Sequence, residues 1–453
     1  MKKIDALSLM LKQRRFDLIY KYLYVKRPNA FHRAMYIEHL RALNGFHEMN
    51  PTDGPKESPE DFLSAFDKLI QSLKTEEYKD SYAPIPIGPN GEIQDGAHRL
   101  SACAALGMSV PVEDTELNYL YDYRHFIFKK APQNLMDFGA LEYVKLNPHA
   151  YIANLQPVTN PKFDDQVESI LNKYGFVFYK KAVRVTFNGL VNLKKLSYGS
   201  FWDREEWIGT AETGFAGARG NAKETFGRYP MRVFVFVCDD IEKVLAAKAD
   251  IRAVFNIGNS AVHINDHHEE AVWLAEIYFN ANSLFTLNNR PFEKDDKVFE
   301  ANIEYLREEA KKCDVSLEDV CGAGSTPLNA LLARHSDDLD YLSIDSRLTK
   351  EDEIISPHDT ELKYYPYSKE EIITNPAYHQ YYHGMKFISL DVLYKMKRKR
   401  GEVPKDVNDC RTIRQLRHSY GIDPQLIKLR LKQNKYTRPF VRLYKKIRDR
   451  VLR

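Results

Sequence analysis

Four residues able to do chemistry stand within five positions of one another: Asp95, Gly96, His98 and Arg99, in the run from Glu92 to Gly107. The pattern predicts a strand that turns at Asp95-Gly96 and opens a helix whose first turn carries His98 and Arg99. A helix start presents unpaired N–H groups and about +0.5 of an elementary charge. Gly96 lets a ligand approach the backbone, and the planar guanidinium of Arg99 suits phosphate oxygens. The chemistry expected is the holding of nucleotide phosphate. The plainer alternative is a sharp turn capped by Asp95, with His98 and Arg99 solvated.

A second constellation lies in residues 322–345, where a turn at Gly324-Ser325, a short helix and then Asp338-Leu339-Asp340 follow one another. Side chains alternate along a strand, so Asp338 and Asp340 are expected on one face, both holding a Mg2+ ion bridged to nucleotide phosphates. Gly324 and Ser325 would give the triphosphate a small residue and hydrogen-bond donors. The plainer reading is an exposed strand edge with two aspartates. A third carboxylate, to activate the attacking hydroxyl, is sought on a strand at Asp359 or Glu361. Without one beside Asp338 and Asp340, this unit binds nucleotide and does not transfer it. Further on, a helix is expected from about Leu390 to Arg400, stopped by Gly401 and followed by Lys405, Asp406 and Asp409.

These motifs resemble two known families. The run of residues 80–114, with short strands around Asn90-Gly91 and the Gly96-Ala97-His98-Arg99 helix start, resembles the ParB/sulfiredoxin-like domain, here spanning about 40–125. The resemblance implies that Gly96, His98 and Arg99 hold phosphates, with Asp95, or Glu48 from the preceding segment, near an acceptor hydroxyl. Sulfiredoxin has a reactive cysteine where this chain has Ala97, so thiol chemistry is not implied, and no helix-turn-helix unit of the ParB type follows. Gly324, Ser325, Asp338 and Asp340, with the Lys-rich helix and Lys405-Asp406 after it, resemble the nucleotidyltransferase fold of the polymerase β superfamily, over about 295–420. That likeness implies Mg2+ at Asp338 and Asp340, a further catalytic carboxylate at Asp359, and nucleotide contacts from Gly324, Ser325 and Lys405.

The elements that must position these residues are also readable. Ser58 is the expected cap of a helix with Pro59 in its first turn, Asp61 as the reciprocal partner, and Phe62, Phe66, Leu69, Ile70 and Leu73 as its apolar face, packing beside the Asp95–Arg99 turn. Lys56, just before it, is near enough in sequence to be a phosphate contact, with a solvated lysine as the default. Residues 10–46 are expected to form two covering helices. In the middle of the chain, Met231–Val237 reads as a buried strand, Asp240–Lys248 as a helix and Ile251–Ile257 as a strand. Asp266 with Glu269 reads as a capping box, which leaves the role of His263 open, and Gly214–Lys223 reads as a Gly-rich basic surface loop.

Composition narrows the class. With 66 basic against 63 acidic side chains the net charge is +3, too balanced to argue for a nucleic-acid binder. Five cysteines, none in a C-x-x-C pair, give neither a disulfide framework nor a cysteine zinc site. Lys12, Arg14 and Arg15 interrupt the start before an adequate apolar run develops, so neither a signal peptide nor a membrane span is expected. From Pro424 onward eleven Lys/Arg face one acidic residue, Asp449, and an apolar stripe at helical period could lie on an anionic membrane or contact nucleic acid, with docking on the chain itself as the plainer reading.

The reading is therefore an α/β (α+β) multidomain chain: 1–130 ParB/sulfiredoxin-like, 131–292 a middle α/β unit of unassigned role, 293–420 nucleotidyltransferase-like, and 421–453 a basic amphipathic tail. The expected function is transfer of a phosphoryl or nucleotidyl group from ATP or CTP, with Mg2+, to a small sugar or polyol in surface-glycan (polysaccharide) biosynthesis. A cytoplasmic location, peripheral at the inner membrane face, is expected with it. The rivals are a nucleotide-switched, DNA-associated regulator and a nucleotidyltransferase that modifies RNA or protein.

Overall fold

A computed structural model describes residues 2–50, 54–76, 78, 82–199 and 206–419, and the expected basic tail lies outside the described residues. The first strand, β1 (Lys2–Asp5), runs straight into α1 (Ala6–Leu11), because the Asp5 carboxylate accepts the Ser8 N–H at 2.7 Å. The covering helices α2 (Asp17–Lys26) and α3 (Ala30–Asn44) follow, the second stopped by Gly45 in the left-handed region. A two-stranded ribbon, β2 (Glu48–Asn50) and β3 (Gly54–Lys56), leads into α4 (Pro59–Glu76). Its reciprocal cap forms as expected: Ser58 Oγ accepts the Asp61 N–H at 3.2 Å, and the Asp61 carboxylate accepts the Ser58 N–H at 3.0 Å. Phe62, Phe66 and Leu73 are buried on its inner face.

Then come β4 (Ile85–Ile87), α5 (Ala97–Leu106) and β5 (Ser109–Asp114), a crossover unit whose two strands pair in parallel, with β1 antiparallel on the other side of β5. Of the two strands expected around Asn90-Gly91, only β4 forms fully. The return segment makes a single bridge, Ile93 to Ile87, because the turn is already closed by Gly88 N–H to Glu92 O at 2.9 Å. Helices α6 (Tyr123–Phe128) and α7 (Gln133–Leu146) complete this part.

The middle of the chain builds an antiparallel sheet in the order β7-β8-β6-β9 from β6 (Ala150–Leu155), β7 (Phe176–Val183), β8 (Met231–Val237) and β9 (Val262–Ile264). Every residue of β8 is buried, as its unbroken apolar run requires. Helices α8 (Asp164–Tyr174), α9 (Phe187–Gly199), α10 (Ala216–Thr225), α11 (Ile241–Phe255), α12 (His268–Tyr278) and α13 (Ala281–Asn289) surround it.

Three local expectations are corrected here. The supposed strand from Ile251 is the last part of α11, since an Ala-rich segment capped by Asp240 propagates until Asn256 turns left-handed. Gly214–Lys223 is mostly α10, and Gly217 is needed because a Cβ there would lie 1.5 Å from the Trp207 carbonyl oxygen. Asp266 does not cap α12, which begins after His267 without a side-chain cap. Asn265 fixes the exit from β9 instead, accepting the Ile152 N–H at 2.6 Å and donating to the His267 carbonyl at 2.9 Å.

One apolar cluster runs from Ala6 to Phe292 without a break near residue 130, and it also takes in Tyr381. Phe178 of β7 stacks on Phe16 at 4.7 Å and on Tyr143 at 3.6 Å, so the first and middle segments share a core.

After α14 (Lys297–Lys312) the chain forms a five-stranded mixed sheet from β10 (Val320–Gly322), β11 (Leu339–Ser343), β12 (Ile355–Pro357), β13 (His379–Tyr382) and β14 (Met385–Ile388), in the order β12-β11-β10-β14-β13. Neighbouring residues of one strand enter separate cores: Val320, Tyr341 and Phe387 pack with Phe299 and Ile303 of α14, whereas Cys321, Leu342 and Ile388 pack against the opposite helices. Those are α15 (Thr326–Ala330), α16 (Lys369–Thr374), α17 (Leu390–Arg400) and α18 (Lys405–Ser419). The boundaries of α17 and its left-handed Gly401 stop are as read from sequence. The architecture is thus mixed α/β, with several small sheets and a majority of helix. Among the described residues no helix is long and apolar enough to cross a membrane.

A buried ion network fastens α17 to α18. Lys397 Nζ lies 3.1 Å from both Asp406 and Asp409, and Arg400 holds Asp406 through two hydrogen bonds of 2.8 and 3.0 Å. Burial pushes the Asp406 carboxyl up, but hydrogen bonds from Arg400 and Lys397 outweigh it and hold the group at about 2. A carboxylate lowered on folding stabilises above its unfolded value of about 3.9, and that stabilisation is lost as pH falls through about 2. Replacing Lys397 by Met leaves two buried carboxylates short of their cation and is expected to cost about 3–5 kcal/mol by urea denaturation, with acid unfolding beginning at higher pH than in the native chain. Unchanged stability at pH 7 and pH 4 would refute the network's role.

Candidate functional site

The Gly96 turn is built as an open helix start. Gly96 has φ +79°, occupies the cap position of α5, and no side chain caps the helix. A Cβ at Gly96 would lie 2.5 Å from Ile85 Cδ1 and 3.1 Å from Arg99 Nη2, so both conformation and space call for glycine. Asp95 does not cap; its carboxylate is mostly exposed and accepts from Arg99 at 3.3 Å. Arg99 is turned back on its own chain, also donating to the Ala83 carbonyl, and thereby braces the turn.

His98 is held on the inner side, with Nε2 3.1 Å from the Tyr36 hydroxyl and its ring edge-on to Phe66 at 4.8 Å. Burial holds its pKa well below the usual histidine range, and the positive charges of Lys21 and Lys56 act in the same direction. Lys21 is itself buried and bound to Asp17 at 2.5 Å, and Asp17 also takes two hydrogen bonds from Arg15. Lys56 is neither solvated nor free: it lies 2.9 Å from Glu48 and over the Phe62 ring at 5.4 Å. The Glu48 charge also reaches Lys21 and Tyr36. The structure therefore brings Glu48, Lys56, Lys21, Tyr36 and His98 into one neighbourhood beside an uncapped helix start. Sequence reading named Glu48, His98 and Lys56 there. It missed Lys21 and Tyr36, whose only signal was their place in covering helices.

In the C-terminal sheet, β10 leads through Gly324 and Ser325 into α15 and back along β11. Gly324 has φ +57°, and a Cβ on it would stand 2.0 Å from Asp340 Oδ2. Asp340 also accepts from Ser356 Oγ at 3.2 Å and lies 3.6 Å from His358 Nε2. The other ring nitrogen of His358 is 2.8 Å from the Tyr365 hydroxyl, which in turn accepts the Gly324 N–H at 3.3 Å. Burial lowers the His358 pKa despite the attraction of Asp340. Ser325 accepts from Arg334 at 2.7 Å, and the same Arg334 nitrogen lies 2.7 Å from Asp409.

The expected carboxylate cluster does not assemble. Asp338 precedes the first residue of β11, is exposed, and accepts from Ser336 Oγ at 2.5 Å, so strand alternation does not govern it. Asp359 lies on a 3-10 turn (Asp359–Tyr364), not on a strand, and pairs with Lys369 at 2.6 Å. Glu361 pairs with Arg400 at 3.1 Å. The chain leaves the sheet at His358, whose N–H is spent on the Tyr341 carbonyl at 2.8 Å. Lys405, the first residue of α18, is exposed. Among the described residues no group of three or more His, Cys, Asp or Glu side chains is placed to hold a metal ion.

No protein-family model, no curated protein and no solved structure matches the chain. His263, left open by the sequence, binds Glu270 at 2.7 Å; both are buried, and the pair ties β9 to α12. A cavity of about 270 Å3 lies between α9, α12, α13, α14 and the β13–β14 turn, and apart from Phe215 of the Gly214–Lys223 run it contains none of the residues singled out from the sequence.

Gly324 and Gly401 offer a direct comparison, since both are left-handed but nothing lies within 4 Å of a Cβ at Gly401. Gly401→Ala is expected to cost about 1–2 kcal/mol, the conformational term alone. Gly324→Ala should cost at least about 1 kcal/mol more, because Asp340 must abandon its position. Equal losses in thermal denaturation would show that Asp340 is not held against Gly324.

Proposed function

We propose that this chain is a nucleotide-dependent phosphoryl- or nucleotidyl-transfer enzyme whose polyphosphate, from ATP or CTP, is held at the start of α5. The observation that carries the reading is the coincidence of an uncapped helix N-terminus, a left-handed Gly96, and Lys56, Lys21, Tyr36 and His98 at one place, with the Glu48 carboxylate beside them. Free N–H groups and the helix dipole attract anions, and the lysines add full charges. His98, kept neutral, contributes hydrogen bonding without competing for a proton, and Arg99 acts as a positioning residue that keeps the turn open. Asp95, exposed and paired to Arg99, belongs to that brace.

Phosphoryl transfer asks mainly for positioning and charge stabilisation. In this reading an acceptor hydroxyl oxygen bonds to the terminal phosphorus as the bond to the leaving nucleoside diphosphate breaks, and Glu48 takes the hydroxyl proton. The acceptor class is a small sugar or polyol, as in surface-glycan assembly in the cytoplasm. The C-terminal unit, with Gly324, Ser325 and Asp340 in sequence order but no converging carboxylates, is read as a nucleotide-binding unit that does not itself transfer.

The test is product release with ATP or CTP and a panel of sugars and polyols. Glu48→Gln is expected to slow turnover at least about 100-fold and to leave nucleotide affinity within about threefold. His98→Ala and Lys56→Ala are expected to weaken nucleotide binding measured by calorimetry. Absence of saturable ATP or CTP binding to the native chain, or native-like binding by both variants, would overturn the reading.

A further inference from the structure

We infer that Glu276 is a proton-operated switch at the junction between the middle unit and the C-terminal sheet: with a proton on its carboxyl the junction closes tightly, and loss of that proton to solvent loosens it. Glu276 lies on α12, beside the group of charges around Lys145. Lys145 Nζ lies 2.6 Å from Glu318, 3.6 Å from Glu276 and 3.9 Å from Glu142, and Lys386 Nζ lies 2.7 Å from Glu318. Two ammonium groups therefore meet three carboxylates. Arg27, 40% exposed, comes near Glu318 alone, at 4.0 Å.

The shortage falls on Glu276. Glu318 has both ammonium groups at hydrogen-bonding distance, whereas Glu276 is 4% exposed and its cation stands farther off. Its Oε2 is buried and has no hydrogen-bond partner among the described residues. An unpaired, charged oxygen in such a place is costly, and a proton removes the charge. Without the proton, the relief must come from water. Glu276 and Tyr381 both border the cavity of about 270 Å3, so a small parting of α12 from β13 brings solvent to the carboxylate.

The groups around it hold one charge state through the neutral range. Lys145 of α7 is held well above the usual lysine value, and Glu318, in the turn before β10, well below the usual carboxylate range. Burial pushes Tyr381 of β13 well above the usual tyrosine value and lowers His379, on the same strand, to about 3. Asp137 and Tyr143 of α7 are bound elsewhere, to Lys181 and to the Leu11 carbonyl. The neighbouring α13 carries no titratable residue, and the one on β6, Tyr151, has Asp240 and Asp266 as its charged neighbours. On α12 itself Glu270 is paired with His263. Across the cavity Lys195 pairs with Asp295 at 2.7 Å and Arg290 with Glu300 at 3.6 Å, Lys297 is exposed, and burial lowers His383 to about 4. Glu276, by contrast, is pushed up to about 7 by burial, against the attraction of Lys145. A carboxyl raised on folding stabilises the folded chain fully below its unfolded value of about 4.3, and that contribution is lost as pH rises through about 7. The inference does not depend on the transfer reading.

The test compares the full native chain with Glu276→Gln, which keeps the side-chain shape and cannot ionise. In urea unfolding, the native unfolding constant is expected to rise at least about tenfold relative to the variant's between pH 5 and pH 8, since one linked proton gives up to about tenfold per pH unit. The variant is expected to be the more stable chain at pH 8. Amide exchange in β13 and α13, compared at equal pH so that its intrinsic pH dependence cancels, is expected to be faster in the native chain at pH 8 and alike in both at pH 5. A carbon NMR titration of the Glu276 carboxyl in the folded native chain is expected to have its midpoint near 7, and it decides the matter if the variant fails to fold. A midpoint below about 5 would overturn the inference. So would parallel losses of stability in the two chains, or a stability difference with equal exchange in β13 and α13 at pH 8.

Discussion

Lys145 is the group on which the arrangement of the chain turns. It projects from α7, and its buried ammonium lies 2.6 Å from Glu318, 3.6 Å from Glu276 and 3.3 Å from the Tyr381 hydroxyl. Those partners come from the turn before β10, from α12 and from β13, so one cation joins the first segment, the middle unit and the C-terminal sheet. Burial opposes its charge, but Glu318 and its other neighbours outweigh burial and hold its pKa well above the usual lysine value. Glu318 is held well below the usual carboxylate range by Lys145 and Lys386. Glu276 receives less compensation and is pushed up to about 7 by burial. An ion cluster of this kind is costly to assemble and costlier to break. It fixes how the C-terminal sheet meets α12 and α13, and therefore where the cavity between them opens.

The same junction also protects the edge of that sheet. Asn280 and Asn282 donate to the carbonyls of Pro376 and His379, and Ser283 Oγ accepts the Tyr381 N–H at 2.8 Å. The edge strand β13 thus finds partners on α13 for groups that would otherwise face outward, which removes a template for pairing with another chain. Packing and polar satisfaction favour one docking of the two parts.

Much of the local structure was legible because it depends on near neighbours in the chain. The Ser58–Asp61 reciprocal cap, the all-buried β8 and the α17 stop at Gly401 each follow from a few adjacent residues. The open α5 start was legible for the same reason. What failed depended on the rest of the fold. Asn265, reaching across to Ile152, settles the start of α12 against the Asp266 capping box. The alternation argument for Asp338 and Asp340 required both to lie within a strand, and the strand begins between them. The cavity was invisible because its wall is gathered from residues 192–300 and 381–384, none of them forming a local motif.

Arginine is the residue that most misleads a reading by type alone. A guanidinium in a glycine-rich turn looks like a phosphate fork, yet Arg99 is bound to Ala83 and Asp95, Arg334 to Ser325 and Asp409, and Arg400 to Asp406 and Glu361. In each case the fork is already filled by the chain's own oxygens. A ligand phosphate could recruit it only by displacing those contacts, and so would gain only the difference between two similar interactions. In the proposed reading, the attraction for an anion at α5 would come from the backbone N–H groups at the start of a helix that no side chain caps. Such groups are short-range and directional, so in that reading a phosphate would be seated on the backbone at the helix start. At Gly96 itself, Ile85 and Arg99 stand close to where a Cβ would be, and the Glu48 carboxylate lies 2.9 Å from Lys56 with its charge felt at Lys21.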